Sequence, residues 1–245
     1  MVVFIFHIVC VQFIQMKNKK CIDKNKHECD SKTTFIILSA QKSNKRGYKN
    51  IPLTILNNNE TLIDRQINTI LRCNKNSDII LVSGFEHDRI VDYVHSNQYN
   101  SVRIAENQHY KMSSILESWR LGLNLALNQD TYIIHGDRIF NESCLSSKAN
   151  GETHTLVHDI NKNNYNLGIL YEENKLINMS YGLPSVWSEI FFISKKDFNI
   201  TRTLINEYKK RKIYTIESFI NTLCHEIPIS ILHKSVDDVK TLKEI

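Results

Sequence analysis

The stretch TTFIILSAQKSNKRGYKNIPLTIL, residues 33–56, decides the fold of this chain. Its apolar run, residues 35–38, is unbroken and rich in β-formers, and small residues and a polar loop follow it. The cations of that loop are Lys42, Lys45, Arg46 and Lys49. A buried parallel strand that leads into a loop marks the place where open α/β sheets bind a ligand, because strand ends and helix starts converge there. The cationic loop predicts an anionic ligand such as a nucleotide.

The charge and the cysteines of the 245 residues bear on the ligand and the location of the protein. The net charge is +5, from 31 Lys and Arg against 26 Asp and Glu, and the excess lies mainly in residues 17–32 and 209–212. The rest of the chain is nearly balanced, so its charge does not predict nucleic-acid binding. The six cysteines have no framework spacing, which predicts reduced thiols and a cytoplasmic location.

The first 32 residues are expected to form an N-terminal extension, apolar at first and basic later, with one domain at residues 33–245. The apolar run at residues 2–14 would cover about 20 Å as a helix, short of the roughly 30 Å of a membrane's hydrocarbon core. It also lacks the flanks of a secretory signal. We therefore expect no stable membrane insertion; a non-native or disordered extension, an appended strand or helix, and a weak membrane anchor stay open.

Strands and helices alternate through the first half of the chain. The runs that predict strands are residues 35–38, 78–83, 101–105 and 131–134, and helical spacing is found in residues 61–72, 86–95 and 113–127. Thr61 with Asp64, and Ser114 with Glu117, predict reciprocal caps at two helix starts. This alternation predicts βαβ units and parallel pairing.

The rhythm changes after residue 153. Strand-like runs at residues 153–159, 167–171, 175–179 and 187–193 are separated by short turns and predict antiparallel pairing. Further predictions are helices at 195–212 and 215–224, a strand at 227–232 and a closing helix at 237–245. The whole pattern predicts a three-layer α/β/α sandwich with a Rossmann-like nucleotide-binding half and a central mixed, mostly parallel sheet.

Two acidic residues follow predicted strands and are candidates for a metal site. Asp137 comes after the strand at 131–134, and Asp237 after the strand at 227–232. Two carboxylates at one edge of a sheet could share Mg²⁺, which prefers oxygen ligands and keeps waters and phosphate oxygens in its shell. The cationic loop at the same edge could then hold a triphosphate.

Six motifs, in order, resemble the nucleotidyltransferases of the glycosyltransferase-A type fold. They are FIILSAQKSNKRGYKNIPL, TLIDRQI, DIILVSGF, NQHYKMSSILES, YIIHGDRIF and VDDVKTLKEI. The group includes sugar-1-phosphate nucleotidyltransferases and phosphocholine cytidylyltransferases. The resemblance implies Mg²⁺-dependent transfer of NMP from an NTP to a phosphorylated small-molecule acceptor, with release of pyrophosphate.

The resemblance also implies roles for individual residues. The catalytic candidates are Lys45, Arg46 and Asp137, and the metal ligands are Asp137 and Asp237. The nucleotide-binding candidates are Ser39, Ala40, Gln41, Lys42, Ser43, Asn107, Ser113 and Ser114. The acceptor-binding candidates are Lys49 and Glu217.

Two alternatives stay open because the sequence departs from the family pattern. Gln41 and Ser43 stand where the family has loop glycines, and Ile51 or Leu53 where it has a lysine beside proline. A binding module that has kept the fold without the chemistry is therefore one alternative. The other is a nucleotide-sugar glycosyltransferase of the same fold type, although such enzymes usually carry Asp-x-Asp, and residues 135–137 contain one acid.

Overall fold

The elements of secondary structure come from a computed structural model, which describes residues 32–42, 50–146, 151–158 and 166–242. The strands are β1 (Thr34–Ser39), β2 (Asp78–Ser83), β3 (Val102–Glu106), β4 (Thr131–His135), β5 (Arg138–Phe140), β6 (His154–His158), β7 (Leu167–Glu172), β8 (Lys175–Tyr181), β9 (Ser185–Ile193), β10 (Ser230–His233) and β11 (Val239–Thr241). The helices are α1 (Leu62–Cys73), α2 (His87–Ser96), α3 (Ile115–Leu125), α4 (Ser143–Ser146), α5 (Phe198–Asn206) and α6 (Ile216–Glu226).

Nine of these strands form one sheet in the order β3-β2-β1-β4-β9-β6-β10-β8-β7. The first four pair in parallel, while β9 runs antiparallel to β4, β6 and β7, and β8 runs antiparallel to β10 and β7. Seven of the nine strands therefore point the same way. This confirms both the mixed, mostly parallel sheet and the antiparallel pairing predicted after residue 153.

Helices cover both faces of the sheet, which confirms the three layers. Successive side chains of a strand point to opposite faces, so Phe35 and Ile37 of β1 pack with residues of α1, α2 and α4. On the other face, Ile36 and Leu38 pack with residues of α3, α5 and α6. The apolar run of β1 is thus buried on both sides, as parallel strands in α/β sheets are.

The cap predicted for α1 is confirmed. Thr61 Oγ1 accepts a hydrogen bond from the backbone N–H of Asp64 at 3.2 Å, and Asp64 Oδ2 accepts one from the N–H of Thr61 at 3.1 Å. Tyr93 and Tyr99 also donate their hydroxyl protons to this carboxylate. Asp64 therefore joins the start of α1 to the end of α2.

The reciprocal cap predicted for α3 is wrong. Ser114 is the N-cap residue, but its side chain makes no capping hydrogen bond. Glu117 turns instead to Arg120 and Tyr208, whose Nη2 and hydroxyl lie 2.6 and 2.7 Å from its two oxygens. The guanidinium of Arg120 is charged, whereas the backbone N–H of Ser114 is neutral. Glu117 therefore forms the ion pair in place of the cap.

The predicted closing helix at residues 237–245 is also wrong. Residues 239–241 form β11, which pairs antiparallel with β5, and residues 243–245 lie outside the described part of the chain. The short strand β5, which the sequence did not predict, has backbone N–H and C=O groups along its edge, and residues 239–241 pair with them. The helix predicted at 195–212 ends at Asn206 and continues as turns, with Lys212 in the left-handed region at φ 57°.

The N-terminal extension, residues 1–32, lies outside the described residues except for Lys32. The apolar run at residues 2–14 lies outside the described residues, and the membrane anchor left open above lies there with it. Among the helices that the structure describes, none has the length and apolar character needed to span a bilayer.

Candidate active site

A cleft of about 280 Å³ opens at the carboxyl ends of β1 and β4; we call it the β1–β4 cleft. It is lined by Leu38, Ser39, Gln41, Ile51, Ile115, His135, Gly136, Asp137, Arg138 and Glu189. The strands are parallel neighbours with Leu38 opposite His135, so both end at the same edge of the sheet. This is the edge where α/β sheets bind ligands. The cleft brings together three of the predicted site residues, Ser39, Gln41 and Asp137.

Gly136 allows the end of β4 to lie close against β1. Its N–H donates to the carbonyl oxygen of Leu38 at 2.9 Å. A Cβ at this position would lie 2.4 Å from Ser39 Oγ and 2.5 Å from that same carbonyl oxygen. Both distances are far inside van der Waals contact, so any side chain at position 136 would push the two strand ends apart.

The turn that carries Asp137 is fixed through its backbone from two sides. Gln66, which is 1% exposed, donates from Nε2 to the carbonyl oxygens of Arg138 at 2.8 Å and Gly136 at 3.3 Å. Leu242, at the end of β11, donates its N–H to the carbonyl oxygen of Asp137 at 2.9 Å. The carboxylate of Asp137 is therefore presented on a rigid turn at the mouth of the cleft.

A cluster of charged side chains lies beside this turn. Glu189 Oε2 is 2.7 Å from His135 Nδ1 and 3.0 Å from Arg138 Nε, and it also contacts Arg138 Nη2. Arg138 Nε is in turn 3.5 Å from Asp137 Oδ1. Burial alone would raise the pKa of Glu189, but the attraction and hydrogen bonds of His135 and Arg138 outweigh it and lower that pKa well below its ordinary value. Glu189 therefore stays ionised.

The backbone of Glu189 is strained. It lies inside β9 with φ 61°, in the left-handed region that non-glycine residues seldom adopt. Ile134 of β4 pairs with Ile190 of β9, so one further step along the antiparallel ladder brings His135 opposite Glu189. Strain of this kind costs of order 1–3 kcal/mol and clusters at functional sites.

The two ends of the cationic loop are held by the segment after β2. The N–H of Phe85 donates to the carbonyl oxygen of Ala40 at 2.9 Å, and Asn50 Nδ2 donates to Glu86 Oε2 at 3.1 Å. Lys42 Nζ lies 5.4 Å from the centre of the Phe85 ring. The loop's other candidates, Ser43, Lys45, Arg46 and Lys49, lie outside the described residues.

Asn107 and Ser113 hold a loop together. Asn107, which is 2% exposed, donates from Nδ2 to Ser113 Oγ at 3.0 Å and to Ser118 Oγ at 3.1 Å, and its Oδ1 accepts from the N–H of His109. The amide is thus used within the chain. These residues do not line the cleft, although the start of α3 reaches it through Ile115.

The structure does not bring Asp237 to Asp137. Leu242 is opposite Asp137, and each strand residue advances about 3.3 Å, so Asp238 lies roughly 13 Å along the ribbon from the level of Asp137. Asp237 precedes it in a turn, with a side chain that is 89% exposed and paired with Lys240 at 2.9 Å. The two carboxylates that we expected to share Mg²⁺ are therefore apart, because residues 239–241 form a strand and not a helix.

Glu217 is not among the residues that line the cleft. It is in the first turn of α6, which is tied to β8 by a hydrogen bond from the N–H of Met179 to Asn221 Oδ1 at 2.7 Å. The β1–β4 cleft is lined from the second half of the chain by Glu189. The predicted contact between Glu217 and an acceptor is thus not part of this cleft.

The oxygen donors of the cleft fit Mg²⁺ only together with a ligand. Among the residues that the structure describes, no group of three His, Cys, Asp or Glu side chains could enclose a metal. Asp137 supplies one carboxylate, and Glu189 is engaged by His135 and Arg138. Mg²⁺ bound to phosphates needs only one or two carboxylates from the protein. Asp137 therefore fits an ion that arrives with a triphosphate.

Sequence reasoning missed His135, Arg138, Glu189 and Gln66. His135 and Arg138 flank the Gly136-Asp137 pair, so their nearness to Asp137 was a usable signal. Glu189 and Gln66 carry no local motif. Glu189 reaches the cleft through strand register. Gln66 reaches the backbone of the turn that carries Asp137 through the packing of α1.

The fold is similar to that of solved nucleotidyltransferases. A CTP:phosphocholine cytidylyltransferase from Streptococcus pneumoniae matches with a TM-score of 0.71 at 15% identity, covering 86% of this chain and 93% of that one. A glucose-1-phosphate thymidylyltransferase, so described provisionally, from Bacillus anthracis matches at 0.67 and 17%, covering 83% and 87%. An inositol-1-phosphate CTP transferase from T. maritima matches at 0.63 and 12%, covering 82% and 85%. No protein-family model and no curated protein sequence matches the chain. At these identities the likeness establishes the fold.

Proposed function

We propose that this protein is a nucleotidyltransferase that transfers NMP from an NTP to a phosphorylated small molecule and releases pyrophosphate. The observation that carries the proposal is the β1–β4 cleft, where Ser39, Gln41 and Asp137 meet at the ligand-binding edge of the sheet. The fold around it is similar to those of the cytidylyl- and thymidylyltransferases above. Those proteins act, by their descriptions, on phosphocholine and glucose 1-phosphate, and acceptors of this kind are proposed here.

The residues of the chain supply binding and charge. Ser39 and Gln41 of the cleft, with Lys42 and Ser43, contact the nucleotide, and the start of α3 at Ser113 and Ser114 lies beside it. Lys45 and Arg46 hold the phosphates, and Lys49 contacts the acceptor. Glu217 does not line the cleft, and the proposal does not include it in acceptor binding.

Charge neutralisation is the main task of the site. An oxygen of the acceptor phosphate attacks the α-phosphorus, the bond from that phosphorus to the bridging oxygen breaks, and pyrophosphate leaves with the electron pair. Positioning and charge stabilisation account for most catalysis of this kind. Mg²⁺ bound through Asp137 and the phosphates would neutralise part of the negative charge.

A cytoplasmic location is proposed with this function. Cys144 and Cys224 are free thiols in the described part of the chain. Disulfides are rare in the cytosol, where thiols are kept reduced.

Pyrophosphate release tests the proposal. Purified protein is mixed with CTP, UTP, GTP or ATP, Mg²⁺ and a panel of acceptors that includes phosphocholine and sugar 1-phosphates. We expect release that needs both substrates. A flat result across the panel, together with no heat of binding for any NTP in calorimetry, would instead favour a module that keeps the fold without the chemistry. Release of sugar from nucleotide sugars without NTP turnover would favour a glycosyltransferase.

A further inference from the structure

Arg138 is within reach of two acids that line the β1–β4 cleft, Asp137 and Glu189. Its guanidinium binds Glu189, with Nε 3.0 Å from Oε2 and Nη2 in contact with the same oxygen. The distance from Nε to Asp137 Oδ1 is 3.5 Å, which is longer than a good N–H···O hydrogen bond. Arg138 therefore binds Glu189 and only approaches Asp137.

Glu189 is itself held in place. Its Oε2 also lies 2.7 Å from His135 Nδ1, and its backbone has φ 61° inside β9. The left-handed region is unfavourable for a residue with a side chain, and strain of this kind persists where the surrounding structure enforces it, often at functional sites. The chain thus keeps a strained glutamate whose carboxylate binds the guanidinium next to Asp137.

The guanidinium and Mg²⁺ would compete for the carboxylate of Asp137. Arginine can bind a carboxylate through two parallel N–H···O bonds, and such pairs are among the strong hydrogen-bonded contacts of proteins. A carboxylate engaged in that way is a poor ligand for a cation. Because Arg138 binds Glu189 instead, Asp137 keeps a side chain that is 30% exposed at the cleft.

The charge of Glu189 matters as well as its position. The side chain of Arg138 is 11% exposed, so water and salt screen its positive charge much less than at the surface. An uncompensated guanidinium at this place would repel a cation bound to Asp137. The carboxylate of Glu189 offsets that charge within hydrogen-bond distance.

We propose that Glu189 is a positioning residue for the metal: it holds the guanidinium of Arg138 away from Asp137 and offsets its charge, so that Asp137 can bind Mg²⁺ brought by a nucleotide. The proposal rests on the nucleotidyltransferase function. Removal of the Glu189 charge would free Arg138 to pair with Asp137. Removal of both charges would take away the competitor too, and the metal should bind again.

Calorimetry of NTP binding with and without Mg²⁺ tests this role without any turnover. CTP, UTP, GTP and ATP are titrated in turn into the protein, once with excess Mg²⁺ and once with EDTA. The ratio of the two Kd values is the gain in NTP affinity that the metal provides. Mg²⁺ binds the free NTP equally in every titration, so a difference in this gain between variants reports on the protein.

Glu189→Gln keeps the size of the side chain and is expected to reduce the gain about 10-fold, the lower end of the range for losing an outer partner of a metal ligand. The double variant Glu189→Gln with Arg138→Gln should recover most of it. Glu207→Gln is the control, because it removes the acid of a surface ion pair with Arg211, and it should keep the wild-type gain. An unchanged gain in Glu189→Gln, or a double variant no better than the single one, would overturn the proposal.

Arg138→Gln alone decides the matter if Glu189→Gln does not fold. It removes the competitor, so its gain should equal or exceed that of wild type, and a smaller gain would overturn the proposal. A wild-type protein whose NTP affinity does not depend on Mg²⁺ would also overturn it. Pyrophosphate release with a full gain in Glu189→Gln would keep the proposed function and refute this inference, whereas a wild-type gain without pyrophosphate release would refute the function and leave the variants to decide the role of Glu189.

Discussion

Gln66 of α1 donates a hydrogen bond from Nε2 to the carbonyl oxygen of Arg138, 2.8 Å away, and so ties a helix on one face of the sheet to the turn that carries Asp137. The same nitrogen reaches the carbonyl oxygen of Gly136 at 3.3 Å. Since the amide is almost wholly buried, water cannot replace it. The position of the Asp137 carboxylate therefore depends on a helix that does not itself line the cleft.

Replacing that amide should loosen the turn. Gln66→Met keeps the length of the side chain but leaves two buried carbonyl oxygens without their donor. We expect the free energy of unfolding to fall by about 1–3 kcal/mol, as when a buried polar group loses its partner, with a lower kcat for pyrophosphate release. Urea denaturation measures the first effect. Gln108→Met, at an exposed position, is the control and should stay within about 0.5 kcal/mol of wild type. Equal stability of both variants would contradict this role of Gln66.

The close approach of β4 to β1 at Gly136 can be tested by alanine substitution, with Gly122 of α3 as the matched control. A Cβ on Gly136 would lie 2.4 Å from Ser39 Oγ, and a Cβ on Gly122 of α3 would lie 2.5 Å from Ile36 Cγ2. Overpacking typically costs about 1–3 kcal/mol, so we expect both Gly136→Ala and Gly122→Ala to lower stability. Only Gly136→Ala should also abolish NTP binding in calorimetry, because Gly122 is away from the cleft. Normal NTP binding by Gly136→Ala would contradict the proposed site.

Acid should destabilise the protein through His154. This imidazole is fully buried, its ring stacks on Phe192 with centres 4.6 Å apart, and burial lowers its pKa from 6.5 to about 4. The unfolded chain binds this proton below pH 6.5 and the folded chain only below about pH 4, so stability is lost as the pH falls between these values. At about 1.4 kcal/mol for each pH unit, the loss is about 3 kcal/mol.

Unfolding free energies measured from pH 4 to 7 check this sign. His154→Gln removes the titrating group, and its stability should depend on pH less steeply than that of wild type, by about one proton. His225→Gln, at an exposed position, should keep the wild-type slope. Identical slopes for wild type and His154→Gln would show that the buried ring is not the source.

Much of the fold could be predicted from the sequence because burial imposes local patterns. The run at residues 35–38 is apolar throughout since β1 is covered on both faces, and Thr61 with Asp64 marks the start of α1 through its own capping chemistry. The motif around Gly136 likewise placed Asp137 at a strand end. Each of these signals lies within a few residues of the feature that it predicts.

The remainder depends on contacts between distant residues. Glu189 reaches His135 through strand register across 54 positions of sequence, and no local pattern marks it. Val239 and Leu242 are compatible with either a short helix or a strand. Residues 239–241 form a strand because they pair with β5, which was itself not predicted from the sequence. The separation of Asp237 from Asp137 follows from that choice.

Pyrophosphate release by two matched variants tests the central claim, which is that Asp137 alone of the two predicted acids serves the reaction. With saturating NTP, acceptor and Mg²⁺, Asp137→Asn should lose about 100-fold or more of the wild-type kcat, the scale for removing one group that stabilises the transition state. Asp237→Asn, at an exposed position in the turn before β11, should stay within about twofold, as surface changes usually do. Loss of activity in Asp237→Asn, or full activity in Asp137→Asn, would contradict the site as the structure arranges it.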